Sequence, residues 1–151
     1  MSASAYSLPE KLALGAEAFV ALAHARLILH RTTPAEVLRR NADIAAQAAR
    51  RLPALADSTA AERCGRVGFA ISRTALRLPW RTDCLVQALA GQAMLRRRGI
   101  ASTITVGTAR HPDGRFEAHA WLVRGTAVIL GGDISRFEPL LDPGAAHPGA
   151  D

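Results

Sequence analysis

Three residues in the second half of the chain have side chains that can together perform nucleophilic chemistry: Cys84, His119 and Asp133. A thiol attacks a carbonyl as its thiolate, and a free thiol with a pKa of about 8.5 holds little thiolate at neutral pH. An imidazole can take the thiol proton, and a carboxylate can hold that imidazole in the reactive tautomer. This set of groups is typical of acyl transfer through a thioester.

The residues around Cys84 place it at the start of a helix. Thr82 or Asp83 is a suitable N-cap, the apolar residues that follow keep helical spacing, and Gly99 supplies a left-handed stop after a cationic last turn. The free N–H groups and the dipole at a helix N-terminus favour an anion. The same amides can donate hydrogen bonds to the oxyanion that forms when a thiolate attacks a carbonyl.

His119 is the one histidine of five that lies in a predicted strand, which spans residues 116–123. Alanines on either side of it leave room for a packed helix. Trp121 is two positions further along the same face, where it can shield the imidazole from water. We predict that Trp121 and Trp80 contribute to substrate binding.

Asp133 follows two glycines at the end of the next predicted strand. If the two strands are antiparallel, its carboxylate can reach the second ring nitrogen of His119 and orient the base. Each of the three residues also has an ordinary interpretation: a small core residue for Cys84, a structural histidine and a turn aspartate. Cys64, in the middle of a predicted helix, is interpreted as structural.

The elements that position these residues divide the chain into two parts. The first part is helical, and its second helix starts with the capping box Thr33-Pro34-Ala35-Glu36. We predict an α+β fold in which N-terminal helices and the Cys84 helix pack on a small antiparallel sheet. Residues 1–78 and 79–141 form one compact domain, and 142–151 form a flexible tail. The predicted helices span about 10–30, 34–51, 59–78 and 84–98, and the predicted strands 100–108, 116–123 and 126–130.

Composition narrows the classes of function. The 151 residues suit one domain, and the net charge is +6. The arginines are spread over several helices with a single run at 96–98, so nucleic-acid binding is not expected. Two cysteines without metal-ligand spacing indicate neither a disulfide framework nor a metal site. The apolar stretch 12–29 is interrupted by charged residues, so we interpret it as an amphipathic soluble helix without a transmembrane segment, which favours the cytoplasm.

Several blocks around the three candidate residues resemble a known family. They match the transglutaminase-like cysteine peptidases of lasso-peptide biosynthesis in order and spacing, over roughly residues 79–141. The blocks are WRTDCL at 80–85, QAL at 87–89, MLRRRGI at 94–100, Gly107, FEAHAWLV at 116–123 and GD at 132–133.

The resemblance implies a papain/transglutaminase-like fold and a peptidase that removes the leader from a ribosomally made precursor. It implies Cys84 as nucleophile, His119 as base and Asp133 as acid, with no metal or organic cofactor. In that family a leader-recognition domain rich in strands is either fused or separate. Because residues 1–78 show helical periodicity, the resemblance implies a stand-alone peptidase whose partners are the precursor leader, a separate recognition protein and a macrocyclase.

Two other functions remain open at the level of sequence. The first is an acyl transferase of the same fold, in which an amine replaces water as the acceptor and which burial of the tryptophans would favour. The second is a non-catalytic peptide-binding adaptor, which predicts that Cys84 and His119 lie far apart or face different cores.

Overall fold

The chain folds as a set of helices followed by a small sheet. The computed structural model describes residues 7–51 and 57–140. In these residues four helices come first along the chain, and four strands follow them. They are α1 Leu8–Arg31, α2 Pro34–Arg51, α3 Asp57–Ala75, α4 Cys84–Arg97, β1 Thr103–Arg110, β2 Phe116–Arg124, β3 Ala127–Leu130 and β4 Glu138–Pro139.

Hydrogen bonds of the capping-box type mark the start of the first two helices. Thr33 Oγ1 accepts a hydrogen bond from the Glu36 amide at 3.3 Å, which is one half of the predicted box, while the Glu36 carboxylate pairs with Arg39 and Arg40. The helix α1 starts two residues earlier than expected, because Ser7 forms a box in which its amide donates to the Glu10 carboxylate at 2.9 Å. The helix α3 also starts two residues early, at Asp57.

The helix α1 is apolar on two faces. Its buried face, which includes Ala18 and Leu22, packs against α3 and α4. Its other face exposes leucine, valine and phenylalanine side chains, so the expectation of an amphipathic helix is wrong. By length and composition alone α1 could cross a membrane, but its buried face belongs to the core of a folded domain. The exposed apolar side chains are Leu8, Leu12, Phe19, Val20 and Leu27.

The strands form an antiparallel sheet in the order β3-β2-β1-β4. Ile100, expected to open β1, instead caps α4 by donating its amide to Leu95 O at 3.0 Å, and β1 begins three residues later. The two-residue strand β4 has no apolar alternation and was not predicted. It pairs Pro139 with Gly107 at the outer edge of β1.

The main core lies between the helices and one face of the sheet. Leu122 and Leu130 of the sheet join buried residues of α1, α3 and α4. Gly91 allows α4 to approach closely, since a Cβ there would lie 2.5 Å from Leu130 Cδ1. A second, smaller cluster around Trp121 and Phe137 lies apart from it. The predicted α+β class is confirmed; Leu141 and the tail 142–151 lie outside the described residues.

Candidate active site

Cys84 is the first residue of α4. Asp83 is the N-cap, with the extended backbone conformation that such a residue adopts. The side chain of Cys84 is partly exposed. At this position the backbone N–H groups of the first turn have no partner within the helix, so a negative charge on the sulfur or on a bound substrate is stabilised there.

The Cys84 sulfur lies against the edge of β2. The strand β3 ends at Leu130, which pairs with Leu122, so beyond this point β2 has no neighbour on that side. The amide of Ala120, in this open stretch, donates a hydrogen bond to Cys84 Sγ at 3.3 Å. A backbone donor of β2 therefore fixes the sulfur, which α4 carries at its N-terminus, at a defined point of the sheet.

This contact brings the thiol next to His119. Ala120 directly follows His119, and two covalent bonds separate its amide nitrogen from the His119 Cα. Given the 3.3 Å hydrogen bond, Cys84 Sγ lies within about 6 Å of that Cα. The adaptor hypothesis predicted that the two residues lie far apart or face different cores, and this contact excludes the first of these two arrangements.

The imidazole of His119 is held by a backbone carbonyl. His119 Nε2 lies 2.8 Å from Gly131 O. A carbonyl oxygen can only accept, so Nε2 carries the proton in this hydrogen bond and Nδ1 keeps its lone pair. The neutral ring is thus in the tautomer whose Nδ1 can act as a base.

Two aromatic side chains flank the His119 ring. The centroid of Phe137 is 4.8 Å from it, and that of Trp121 is 6.1 Å away in a stacked arrangement. Trp121 is only 3% exposed, so it excludes water from one side of the imidazole. Gly107 makes room for the indole, since a Cβ there would lie 2.6 Å from the Trp121 ring. The substrate-binding role of Trp121 stays a prediction.

Gly131 contacts the candidate base His119, a contact that the sequence analysis did not predict. Its φ is +126°, and a Cβ there would lie 2.3 Å from Trp121 Cβ. Both the backbone conformation and the space therefore require glycine. The signal in the sequence was the Gly131-Gly132 pair, but nothing in it showed that the first carbonyl would accept from His119.

Asp133 is close in sequence to this carbonyl but makes a different contact. Its carboxylate is exposed and accepts a hydrogen bond from the Ser135 amide at 2.9 Å. That hydrogen bond holds the pKa of Asp133 below its usual value, so the group is ionised at neutral pH. Within residues 7–51 and 57–140, no hydrogen bond joins Asp133 to His119, and its role in orienting the base stays a prediction.

Comparison with protein families gives one match, to the transglutaminase-like superfamily, over residues 22–142. The chain belongs to this superfamily. The match confirms the transglutaminase-like fold. It also covers most of the helical first half, whereas the resemblance seen in the sequence covered only residues 79–141. Comparisons with curated proteins and with solved structures found no match. Membership of the superfamily fits a cysteine peptidase or an acyltransferase.

Trp80 precedes the candidate nucleophile Cys84 in this transglutaminase-like domain and links the start of α4 to α1. Its ring contacts Phe19 at a centroid distance of 5.8 Å. The backbone next to it is held by Arg26, whose guanidinium donates to Arg81 O at 2.8 Å. Trp80 is partly exposed, but its Nε1 is buried and has no partner among the described residues. Its predicted role in substrate binding is not tested by these contacts.

An ion pair ties the strand of His119 to the segment that carries Phe137. Arg136 donates to both Glu117 oxygens, at 2.7 and 3.0 Å. These hydrogen bonds lower the pKa of Glu117. In this transglutaminase-like domain the pair holds Phe137 against the imidazole from outside the sheet.

The second cysteine has a different environment. Cys64 is buried in α3, and burial raises the pKa of its thiol. This fits the structural interpretation given from the sequence. Over the described part of the chain, no group of three or more histidine, cysteine and acidic side chains is arranged to hold a metal ion.

Proposed function

We propose that the chain is a cysteine peptidase that removes the leader from a ribosomally synthesised lasso-peptide precursor. The observation that carries this proposal is the hydrogen bond between Ala120 N and Cys84 Sγ, which puts the thiol beside the strand position of His119. The superfamily match supports the class of chemistry. The similarity of the blocks around Cys84, His119 and Asp133 to the lasso-peptide peptidases supports the substrate.

In the proposed mechanism His119 Nδ1 takes the proton of Cys84, and the thiolate attacks the carbonyl at the leader–core junction. The amides at the start of α4 stabilise the oxyanion. The imidazolium then protonates the departing amine, which leaves the leader as a thioester on Cys84. Water, deprotonated by His119, hydrolyses the thioester and frees the leader carboxylate and the thiol.

Two groups share the task of orienting the base in this mechanism. The carbonyl of Gly131 fixes the tautomer of His119 before reaction. Asp133 keeps its predicted role as the acid that stabilises the imidazolium, which requires its carboxylate to leave Ser135. On this proposal Asp133→Asn lowers kcat by about a hundredfold or more. An unchanged kcat would assign the orienting role to the Gly131 carbonyl alone.

The proposed partners are the precursor leader, a separate leader-recognition protein and a macrocyclase, in the cytoplasm and without nucleic acid. Residues 8–31, 34–51 and 57–75 are helical. Because the recognition module of the family is rich in strands, these helices support the proposal that a separate protein recognises the leader.

The test uses purified protein mixed with precursor and recognition protein. Wild type and the matched variant Cys64→Ala should release the leader, whereas Cys84→Ala should not. Mass spectrometry should show products that differ from the precursor by one added water. Cleavage that survives in Cys84→Ala contradicts the proposal.

The burial of Trp121 supports a second candidate, an acyl transferase of the same fold. A buried indole excludes water from one side of His119, and this exclusion favours an amine as the acceptor of the thioester. The same mass spectrometry separates the two functions, since transamidation joins two groups without the added water.

A further inference from the structure

A groove between α1, α2 and α4 lies away from the candidate active site. It has a volume of about 340 Å³ and is lined by none of Cys84, His119 and Asp133. Its floor is apolar, and α2 contributes one face to it at helical spacing, with Val37, Asn41 and Ile44. The floor is completed by residues of α1 and α4, among them Ala21, Ala25, Ile28, Leu89 and Ala93.

The polar part of the groove is cationic. Arg40, Arg96 and Arg97 line it together with His24, and its described lining includes no acidic residue. Arg40 and Arg97 each have one carboxylate partner outside the groove, Glu36 and Glu17 respectively. Arg96 makes no ion pair with any residue in 7–51 or 57–140, so its charge is available to an anionic group.

A buried hydrogen-bond donor without a partner adds to the polar character of the groove. Asn41 Nδ2 is buried and has no hydrogen-bond partner within the described part of the chain. The nearby Gln92 is already satisfied, since its Nε2 donates to Ser102 O at 3.0 Å. A buried amide without an acceptor is costly, and an occupant that supplies an oxygen would remove that cost.

We propose that this groove binds an acidic segment of the peptide substrate, with apolar side chains on the floor and a carboxylate at Arg96. Charge complementarity argues for this occupant. The volume is near the lower end for ligand pockets, about 300–1,000 Å³, and suits a few side chains of a linear segment better than a folded surface. The assignment to substrate rests on the proposed peptidase function.

The geometry of α4 gives such a segment a route to the thiol. The helix has 14 residues, with Cys84 at its first position and the groove along its second half. The groove is on the opposite face of α4 from Cys84, so a segment must pass about 20 Å along the helix and about 17 Å around it, which about eleven extended residues can span. A segment held in the groove therefore raises the local concentration of the scissile bond at Cys84.

The experiment measures fluorescence anisotropy of a short fluorescein-labelled peptide with leucine and glutamate at helical spacing. A second peptide, with lysine in place of glutamate, is the control ligand. Wild type should bind the acidic peptide at least tenfold more tightly than the basic one, and added salt should weaken binding. Equal binding of both peptides would overturn the proposal.

Matched variants locate the binding. Arg96→Glu and the milder Arg96→Gln should weaken binding by tenfold or more and by severalfold respectively. Arg77→Glu reverses the charge of an exposed arginine that does not line the groove, and it should change binding by less than twofold. Equal losses in Arg96→Glu and Arg77→Glu would mean that net charge alone attracts the peptide, which would also overturn the proposal.

Two further measurements distinguish the peptide from other occupants of the groove, and the groove proposal from the peptidase proposal. Vesicle binding with phosphatidylglycerol, or a dimer in sedimentation, that depends on Arg96 while the peptide does not bind would assign the groove to a membrane or to a second copy. Cys84→Ala should bind the acidic peptide as wild type does. Wild type that binds the acidic peptide but does not cleave the precursor in the presence of the recognition protein would count against the peptidase function and leave the groove proposal intact.

Discussion

The candidate active site at the edge of β2 and the groove between α1, α2 and α4 are built in different ways. At the edge of β2, backbone groups hold the reactive side chains: the Ala120 amide holds Cys84 and the Gly131 carbonyl holds His119. In the groove, long arginine side chains and an unpaired amide face an open apolar floor. Backbone contacts hold the candidate active site in one geometry, whereas the long arginine side chains of the groove can change rotamer to fit an occupant.

The largest expected effect in the active site is on catalysis. His119→Ala removes the base without touching the thiol, and kcat should fall by about a thousandfold or more. The control is Cys84 labelling, which shows that the protein is folded and the thiol is present. A fall of less than tenfold in steady-state cleavage would show that His119 is not the catalytic base.

Alanine substitutions at the neighbouring Gly131 and Gly132 test how tightly the backbone around the His119 imidazole is packed. Gly131→Ala should destabilise the protein by about 3 kcal/mol or more, because the new Cβ would lie 2.3 Å from Trp121 Cβ. Gly132→Ala should cost only about 1–2 kcal/mol, since its φ is +66° but the space around it is open. Urea unfolding of both variants measures the difference. Equal losses would show that the Gly131 site is not constrained by packing.

The labelling rates of the two cysteines compare the thiol environment at the edge of β2 with that in the helical core. Iodoacetamide should label Cys84 at least about tenfold faster than Cys64 near neutral pH, since Cys64 is buried and its pKa is raised. Cys64→Ala and Cys84→Ala provide single-thiol proteins for the measurement. Equal, slow labelling of the two thiols would favour a non-catalytic adaptor.

The smallest effect is expected next to the groove, where Glu17 of α1 pairs with Arg97 at the end of α4 and with its C-cap residue Arg98. The Arg98 hydrogen bond lowers the pKa of Glu17. Glu17→Gln should therefore cost about 1 kcal/mol or less, because the pair is partly exposed.

The pH dependence of this loss has a definite sign. Glu17 stabilises the fold fully above about pH 5, where a glutamate is ionised even in the unfolded chain. The difference between wild type and Glu17→Gln should shrink as the pH falls through the lowered pKa of Glu17. Urea unfolding at several pH values measures it. A difference that grows on acidification would show that the ion pair does not stabilise the fold.

The sequence by itself indicated most of the helices and strands and the candidate reactive residues, because both depend on local chemistry. Thr33 and Glu36 indicated the start of α2, and Asp83 indicated the N-cap position of the helix that begins at Cys84. The period of the apolar residues distinguished the helices from the strands. The residue types alone indicated thioester chemistry, and the superfamily match over residues 22–142 agrees with that class.

The tertiary structure decided which groups meet. Nothing local shows that β3 stops short of Ala120 and leaves an amide for Cys84, or that Gly131 rather than Asp133 contacts His119 at rest. The strand β4 likewise has no pattern of its own and forms only because β1 offers it an edge. Hydrogen bonds between backbone groups far apart in sequence carry no signature in residue type, so only folding reveals them.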